Sequence, residues 1–161
     1  MKELVAMTTH SVGQTGSGPL ARLVPAVATG IVGGLAGGVV FGVLMQMMDM
    51  IPMVAKLVGS DSMAVGWLVH LAISAFIGAS FAVLLGRWAG KPVIGAALGM
   101  GYGVIWWVLG ALLIMPAKLG MTDMIFQIGK TQWQSLMGHL MFGLILGLAY
   151  ALIAPRLARR G

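Results

Sequence analysis

Four long apolar stretches without a single charged side chain constrain the fold of this chain more than any other feature. A helix needs about 20 apolar residues to cross roughly 30 Å of hydrocarbon. Backbone groups inside a bilayer must be hydrogen-bonded within the protein, so an apolar stretch of this length forms a helix. The stretches cover residues 23–48, 63–86, 92–115 and 133–154. The sequence therefore predicts an all-α membrane protein with four transmembrane helices.

The low content of charged residues agrees with a surface that faces lipid. Only 9% of the 161 residues are charged and the mean hydropathy is +0.98, whereas soluble domains carry about 25% charged residues. The chain has no cysteine, which excludes disulfides, thiolate nucleophiles and cysteine-ligated metal clusters. The net charge is +6, but the cations are scattered between apolar runs, so we expect no nucleic-acid partner.

The distribution of lysine and arginine predicts the orientation, because basic residues are enriched on the cytoplasmic side. The tails and the turn between the second and third spans carry seven: Lys2, Arg22, Arg87, Lys91, Arg156, Arg159 and Arg160. The two other loops carry three: Lys56, Lys118 and Lys130. The sequence therefore predicts both termini on the cytoplasmic side of a prokaryotic inner membrane. A disordered polar tail is expected over 1–22, a four-helix domain over 23–156 and a basic tail over 157–161.

The two halves of the sequence resemble each other, which predicts an internal duplication. The stretch "GWLVHLAISAFIGASFAVLLGR" aligns without gaps to "SLMGHLMFGLILGLAYALIAPR" and pairs His70 with His139. The first and third spans align with Gly34 paired to Gly95. Each half has two spans, so both halves enter the membrane in the same direction. The prediction is two duplicated helical hairpins, a parallel repeat about a pseudo-twofold axis along the membrane normal.

Small residues recur at helical spacing on one face of each span. At that spacing they let helix backbones approach closely, which gives dispersion contacts that lipid cannot replace. We therefore predict glycine-zipper packing, with any exposed glycine ridge available to a homo-oligomer or a larger membrane complex. The residues are Gly34, Gly38, Gly42, Ser74, Gly78, Gly95, Gly99, Gly103, Gly143 and Gly147.

Two histidines lie at equal depth in the second and fourth spans and are the strongest candidates for a functional site. At 1.5 Å per residue, His70 and His139 fall about 10 Å inside the outer boundary. Ionisable residues at that depth are costly and are functional candidates by default. Three hypotheses compete. Each neutral imidazole hydrogen-bonds a neighbouring helix and organises the bundle, the pair binds haem b or a divalent ion, or the pair relays protons or a solute.

Polar and sulfur-bearing residues near the outer end of the first span provide further candidates. Gln46, Trp107 or a backbone carbonyl would pair with the imidazoles, and Asp49 would either join them or cap the first helix. Thioethers favour Cu(I), so Met45 and Met48 together with the histidines form a candidate copper site. Neighbouring methionines on a helix point in different directions, which favours packing over metal binding.

A His-bearing second span, an outer loop that starts at Pro116, and "SLMGHLMFG" in the last span resemble YagU-like inner-membrane proteins. The resemblance covers roughly residues 30–156 and implies architecture and location only. No catalytic constellation can be assembled, since the acids lie at the outer interface, in the loops or in the N-terminal tail. We therefore predict a non-enzymatic membrane protein whose outer-leaflet His pair organises the bundle and is available to a small ligand. The alternatives are a haem b or redox-complex subunit, and transport of a small solute, protons or metal.

Overall fold

A computed structural model describes residues 19–158 and shows helices without strands in that range. Four helical spans are long and apolar enough to cross a membrane, which confirms the predicted all-α membrane fold. The elements are α1 (Pro19–Met47), α2 (Ile51–Lys56), α3 (Met63–Leu85), α4 (Pro92–Trp106), a π-helical segment (Trp107–Ile114), α5 (Met115–Lys118), a 3-10 turn (Thr122–Met124) and α6 (Lys130–Ala158). The third span is continuous from α4 through the π-helical segment to α5.

The helices extend beyond the predicted spans. α1 begins at Pro19, so the last four residues of the predicted tail are helical, while residues 1–18 lie outside the described range. The third span continues to Lys118, and α6 begins at Lys130 and ends at Ala158. Residues 159–161 again lie outside the described part. Hydropathy marks only the part of a helix inside hydrocarbon, whereas a helix continues into the headgroup region.

The four spans pack in the order α3, α1, α6, α4. α1 contacts both α3 and α6, and α6 contacts α4, whereas α3 and α4 touch only marginally. Neighbouring spans are antiparallel, so α2 and residues 119–129 lie at one end, which we name the loop end. The turn over residues 86–91 lies at the other end, beside the first residues of α1 and the last of α6. Because α3 and α4 hardly meet, a gap remains between them on one side of the bundle.

Small residues make the closest contacts between helices. A Cβ atom added at Gly34 would collide with backbone atoms of Ser74 and Gly78 in α3. One added at Gly99 would collide with the backbone of α6 at Gly143. The other small residues singled out from the sequence lie in the same two interfaces: Gly38, Gly42, Gly95, Gly103 and Gly147. These glycines are buried within the chain, so they do not form the exposed ridges that we expected a partner to use.

The glycine contacts of the first and third spans are alike, in a register that differs by one helical turn from the predicted alignment of the two halves. Gly34 of α1 corresponds to Gly99 of α4, because each lies against the equivalent pair of small residues on its partner helix. The alignment pairs Gly34 with Gly95 instead. Glycines recur every four residues from Gly30 to Gly42, so a slip of one turn changes few matches in the sequence.

α1 ends within the methionine-rich segment at a left-handed residue. Asp49 has a φ of 54°, and the amide of Met50 donates to the carbonyl of Met45 at 2.9 Å. This is the Schellman pattern, in which a left-handed residue lets the last helical carbonyls be satisfied. Gly59 and Gly120 end α2 and α5 in the same way, each with a φ of 72°. Asp49 therefore ends the first helix, and its side chain is exposed.

Candidate ligand-binding cavity

A cavity of about 320 Å³ lies between α3 and the third span, towards the loop end. This volume is near the lower limit for small-molecule sites, which span roughly 300–1,000 Å³. All four spans and α2 contribute to its walls, and most of the lining is apolar. We name it the α3–α4 cavity, and its polar lining residues are His70, Ser74, Trp106, Thr131, Gln132, Ser135 and His139.

His70 lies on the buried face of α3 and joins this helix to α1. Its Nε2 is 2.8 Å from the carbonyl oxygen of Gly38. Because a carbonyl only accepts, Nε2 carries the proton and Nδ1 of the neutral ring holds a lone pair. Nδ1 forms no hydrogen bond with another described residue. One turn along, the hydroxyl of Ser74 donates to the carbonyl of His70 at 2.8 Å, so this part of α3 is tightly hydrogen-bonded.

His139 is held by its own helix, not by a neighbouring one. Its Nδ1 donates to the carbonyl oxygen of Ser135 at 2.8 Å, with the Ser135 hydroxyl at 3.4 Å. Nε2 of the neutral ring then holds the lone pair and bonds to no other described residue. The ring carbon that carries Cβ is bonded to Nδ1 but not to Nε2, so Cβ crowds Nδ1 of His70 more than it crowds Nε2 of His139. In addition, His139 is partly exposed whereas His70 is buried. Nε2 of His139 is therefore the less hindered of the two unpaired nitrogens.

Phe41 of α1 packs against both imidazoles. Its ring centroid lies 5.6 Å from that of His70 and 4.7 Å from that of His139, and both contacts are edge-to-face. Phe41 is only 6% exposed, and a Cβ atom at Gly138 of α6 would collide with its ring. The phenyl ring therefore fixes the two imidazoles relative to each other. Sequence reasoning did not single out this residue, because an apolar side chain in an apolar span gives no signal.

Trp106 of α4 lines the cavity and contacts α3. Its ring lies edge-to-face with Phe76 of α3 at 6.1 Å and with Tyr102 at 6.2 Å. Its Nε1–H is buried and has no hydrogen-bond partner among the described residues. Buried polar groups in native proteins are normally paired with protein, water or ligand, so this donor needs an explanation. The sequence could have pointed to Trp106, because this residue lies on the same helical face as Tyr102 and Gly110.

The third span leaves room for the cavity where it becomes π-helical. π-helical turns are rare and occur frequently at functional sites. Gly110 and Ala111 of this segment line the cavity, and a Cβ atom at Gly110 would meet no atom within 4 Å. The amide of Phe126 donates to the carbonyl of Leu112 at 3.0 Å, which anchors the following loop to the segment. Small side chains and a wider backbone therefore create the space.

The cavity opens mainly towards the hydrocarbon region. Of the exposed lining residues, Thr131 lies at the start of α6, whereas Ile73, Phe76 and Ile114 lie beside the gap between α3 and the third span. At 1.5 Å per residue, Ile73 and Phe76 are about 15 Å and 20 Å from the start of α3. A molecule that enters through this gap must therefore be soluble in lipid.

Gln46 and Trp107 form hydrogen bonds away from the imidazoles, contrary to one predicted arrangement. Trp67 donates to Oε1 of Gln46 at 2.7 Å, and Trp107 donates to the carbonyl of Gln132 at 3.0 Å. Trp107 shares the glycine-lined face of α4 that packs on α6. Trp106 is rotated by one residue, about 100° around the helix, and faces the cavity instead. The two neighbouring tryptophans therefore face different surroundings, which the sequence alone did not distinguish.

The donors in the cavity fit a haem iron or a metal ion poorly. Coordination through Nε2 of His70 would break its bond to Gly38, and Nδ1 is hindered by the adjoining Cβ. Asp49 is exposed and does not line the cavity. Within residues 19–158, no three His, Cys, Asp or Glu side chains form a group that could hold a metal ion. The described residues of the cavity therefore offer the two histidines alone as metal-ligating side chains of these types.

The methionines at the end of α1 diverge. Met45 and Met50 line the cavity together with Met115 of α5, whereas Met47 is 78% exposed and Met48 packs against the core. The candidate copper pair of Met45 and Met48 therefore does not converge on the cavity. Flexible thioethers adapt their shape to an apolar neighbour, which suits the wall of an apolar site.

Together the helices and the cavity define a multi-pass integral membrane protein with a lateral, mostly apolar site. No protein-family model, no curated protein and no solved structure matches the chain. The interpretation of the cavity therefore depends on its own residues.

Proposed function

We propose that this membrane protein is non-enzymatic and binds a small lipid-soluble molecule in the α3–α4 cavity. One observation carries the proposal: two imidazoles, each with one nitrogen unpaired among the described residues, line a single cavity. Polar groups in apolar surroundings cost free energy unless they are hydrogen-bonded. A ligand with one polar group would pair with part of this set, and its apolar remainder would lie against the methionine and aromatic lining.

In this proposal each histidine has two roles. One ring nitrogen of His70 bonds to α1 and one of His139 bonds to its own helix, and these bonds hold the rings in place. Phe41 packs edge-to-face against both rings. The second nitrogen of each ring is left for the ligand. Rigidly held polar groups in a preformed apolar cavity are the usual arrangement of small-molecule sites.

A substitution that fills the cavity tests the proposal. Gly110→Leu should abolish labelling of the cavity by photoactivatable, diazirine-bearing probes, because leucine would occupy the space that the ligand needs. The probes are a medium-chain alkanol and its methyl ether, and the labelled residues are identified by mass spectrometry of peptides from protein in micelles. In the unchanged protein, labelling should saturate and should fall on lining residues of α3 and the π-helical segment.

Gly101→Leu is the matched control. A Cβ atom at Gly101 also meets no atom within 4 Å, but this residue does not line the cavity, so labelling should persist. If neither probe labels the cavity in a saturable way, or if Gly110→Leu leaves labelling unchanged, the proposal is wrong.

We also propose that both termini lie on the cytoplasmic side of a prokaryotic inner membrane. The support is the excess of basic residues at the end that carries Arg87, Lys91 and Arg156, together with the resemblance to YagU-like inner-membrane proteins. At the loop end, Asp49, Asp61 and Asp123 offset Lys56, Lys118 and Lys130 in number.

Single cysteines test this orientation, because the chain has none of its own. Ser62→Cys at the loop end should react with a membrane-impermeant maleimide on intact cells. Gly90→Cys in the α3–α4 turn should react only after the membrane is permeabilised. Both positions are exposed, so access to the reagent is decided by the membrane side. The reverse pattern would show that the termini lie outside.

A further inference from the structure

The α3–α4 cavity is suited to a neutral ligand. None of its described lining residues is Lys, Arg, Asp or Glu. Moving an ion from water into an apolar site carries a large desolvation cost unless an opposite charge is close by. Carboxylate, phosphate and ammonium headgroups would have no such partner here. Entry through the hydrocarbon region adds a second selection against charge.

Nε2 of His139, the less hindered of the two unpaired imidazole nitrogens, is a hydrogen-bond acceptor. The bond from Nδ1 of His139 to the Ser135 carbonyl at 2.8 Å fixes the tautomer, so Nε2 presents a lone pair. A ligand that only accepts hydrogen bonds, such as an ether or a ketone, would leave this lone pair unmatched. The ligand must therefore bring a donor.

A hydroxyl group is the donor that fits both requirements. It is uncharged, and a single hydroxyl on an apolar molecule remains soluble in lipid.

We infer that the ligand is a neutral apolar molecule with a hydroxyl group, whose O–H donates to Nε2 of His139. The inference rests on the proposed function and specifies its ligand class. Long-chain alcohols, prenols, diacylglycerols and apolar phenols share this chemistry. In this arrangement His139 selects the hydroxyl, and Phe41 holds the imidazole in place.

Competition among three compounds of equal chain length tests the inference. An alkanol, its methyl ether and the parent alkane each compete with the photoactivatable alkanol for the cavity, with concentrations expressed as mole fractions in the micelle. A neutral hydrogen bond in an apolar site corresponds to about a three- to tenfold difference in affinity. The alkanol should therefore compete about three- to tenfold better than the ether in the unchanged protein.

His139→Phe should remove this preference, because phenylalanine keeps an aromatic ring but has no acceptor. Continued competition by the alkane in His139→Phe shows that the cavity is intact. Tyr150→Phe is the control: it removes a hydroxyl from the same helix at a position that does not line the cavity, and the preference should persist.

Two results would overturn the inference and leave the proposed function standing. One is equal competition by alkanol and ether in the unchanged protein, a result that needs no variant. The other is a preference for the alkanol that survives in His139→Phe, which would assign the selection to another group. Absence of saturable labelling by any probe would instead remove the proposed function itself.

Discussion

Replacing Gly99 with leucine is expected to abolish the folded bundle, whereas the same replacement at Gly101 on the same helix should leave it folded. A Cβ atom at position 99 would collide with the carbonyl of Gly143 and lie 3.0 Å from the Cα of Gly147. Both obstacles are backbone atoms, so no side chain can move aside. α4 and α6 would have to separate along their whole interface.

Alanine at the same two positions is a milder change, for which the effect on the free energy of unfolding can be stated. Overpacking a close contact costs typically about 1–3 kcal/mol, so Gly99→Ala should reduce the free energy of unfolding by that amount. Gly101 is exposed, and a Cβ atom added there would meet no atom within 4 Å. Gly101→Ala should be neutral or stabilising by roughly 0.5–1 kcal/mol, because alanine is the better helix former.

The measurement is reversible unfolding in mixed micelles, followed by circular dichroism and by resistance to protease. If Gly99→Leu and Gly101→Leu unfold at the same denaturant concentration, the close approach of α4 and α6 is wrong. The same experiment also tests the relation between the two halves. Gly34 and Gly99 make equivalent contacts, so alanine at either position should cost a similar amount.

Removing the Phe41 ring is expected to have the second-largest effect. Phe41 is 6% exposed and packs against both imidazoles and against α6. Phe41→Ala should reduce the free energy of unfolding by about 3–5 kcal/mol, the usual cost of truncating a buried aromatic residue. It would also join the space of the ring to the cavity and remove the packing contact that both imidazoles share.

Phe76→Ala is the comparison. Phe76 also lines the cavity, but it is 62% exposed, so lipid can replace most of its contacts. Its truncation should cost less than about 1 kcal/mol, in the range of substitutions away from the core. Unfolding in the same micelles measures both variants. Equal costs at the two positions would show that Phe41 does not hold the His pair together.

The sequence indicated the histidines correctly as residues inside the membrane, but it did not identify their surroundings. The sequence offered Gln46, Trp107 or a backbone carbonyl as partners, and backbone carbonyls of Gly38 and Ser135 take that role. Every residue in a helix has a carbonyl, so no residue type marks one that accepts an additional bond. The role of Phe41 was likewise invisible, because it depends on which helix α1 faces.

The sequence by itself determined the class of protein and the position of its four spans. Hydrocarbon requires each span to satisfy its own backbone, so length and hydropathy within one segment decide that it is a helix. Helical periodicity also placed the small residues on shared faces. These features depend on how one segment of the chain meets the surrounding lipid, so they can be derived from the residues of that segment alone.

Only the tertiary structure decided that α3 and α4 meet through a few side chains and leave a cavity between them. The tertiary structure also decided the one-turn difference in register between the glycine contacts of the two halves. It likewise decided that Trp106 lines the cavity, whereas Trp107 bonds to Gln132. Lipid is as apolar as leucine, so hydrophobicity does not select which helices become neighbours. That choice depends on the fit between surfaces of helices distant in sequence, and it is this fit that created the candidate site.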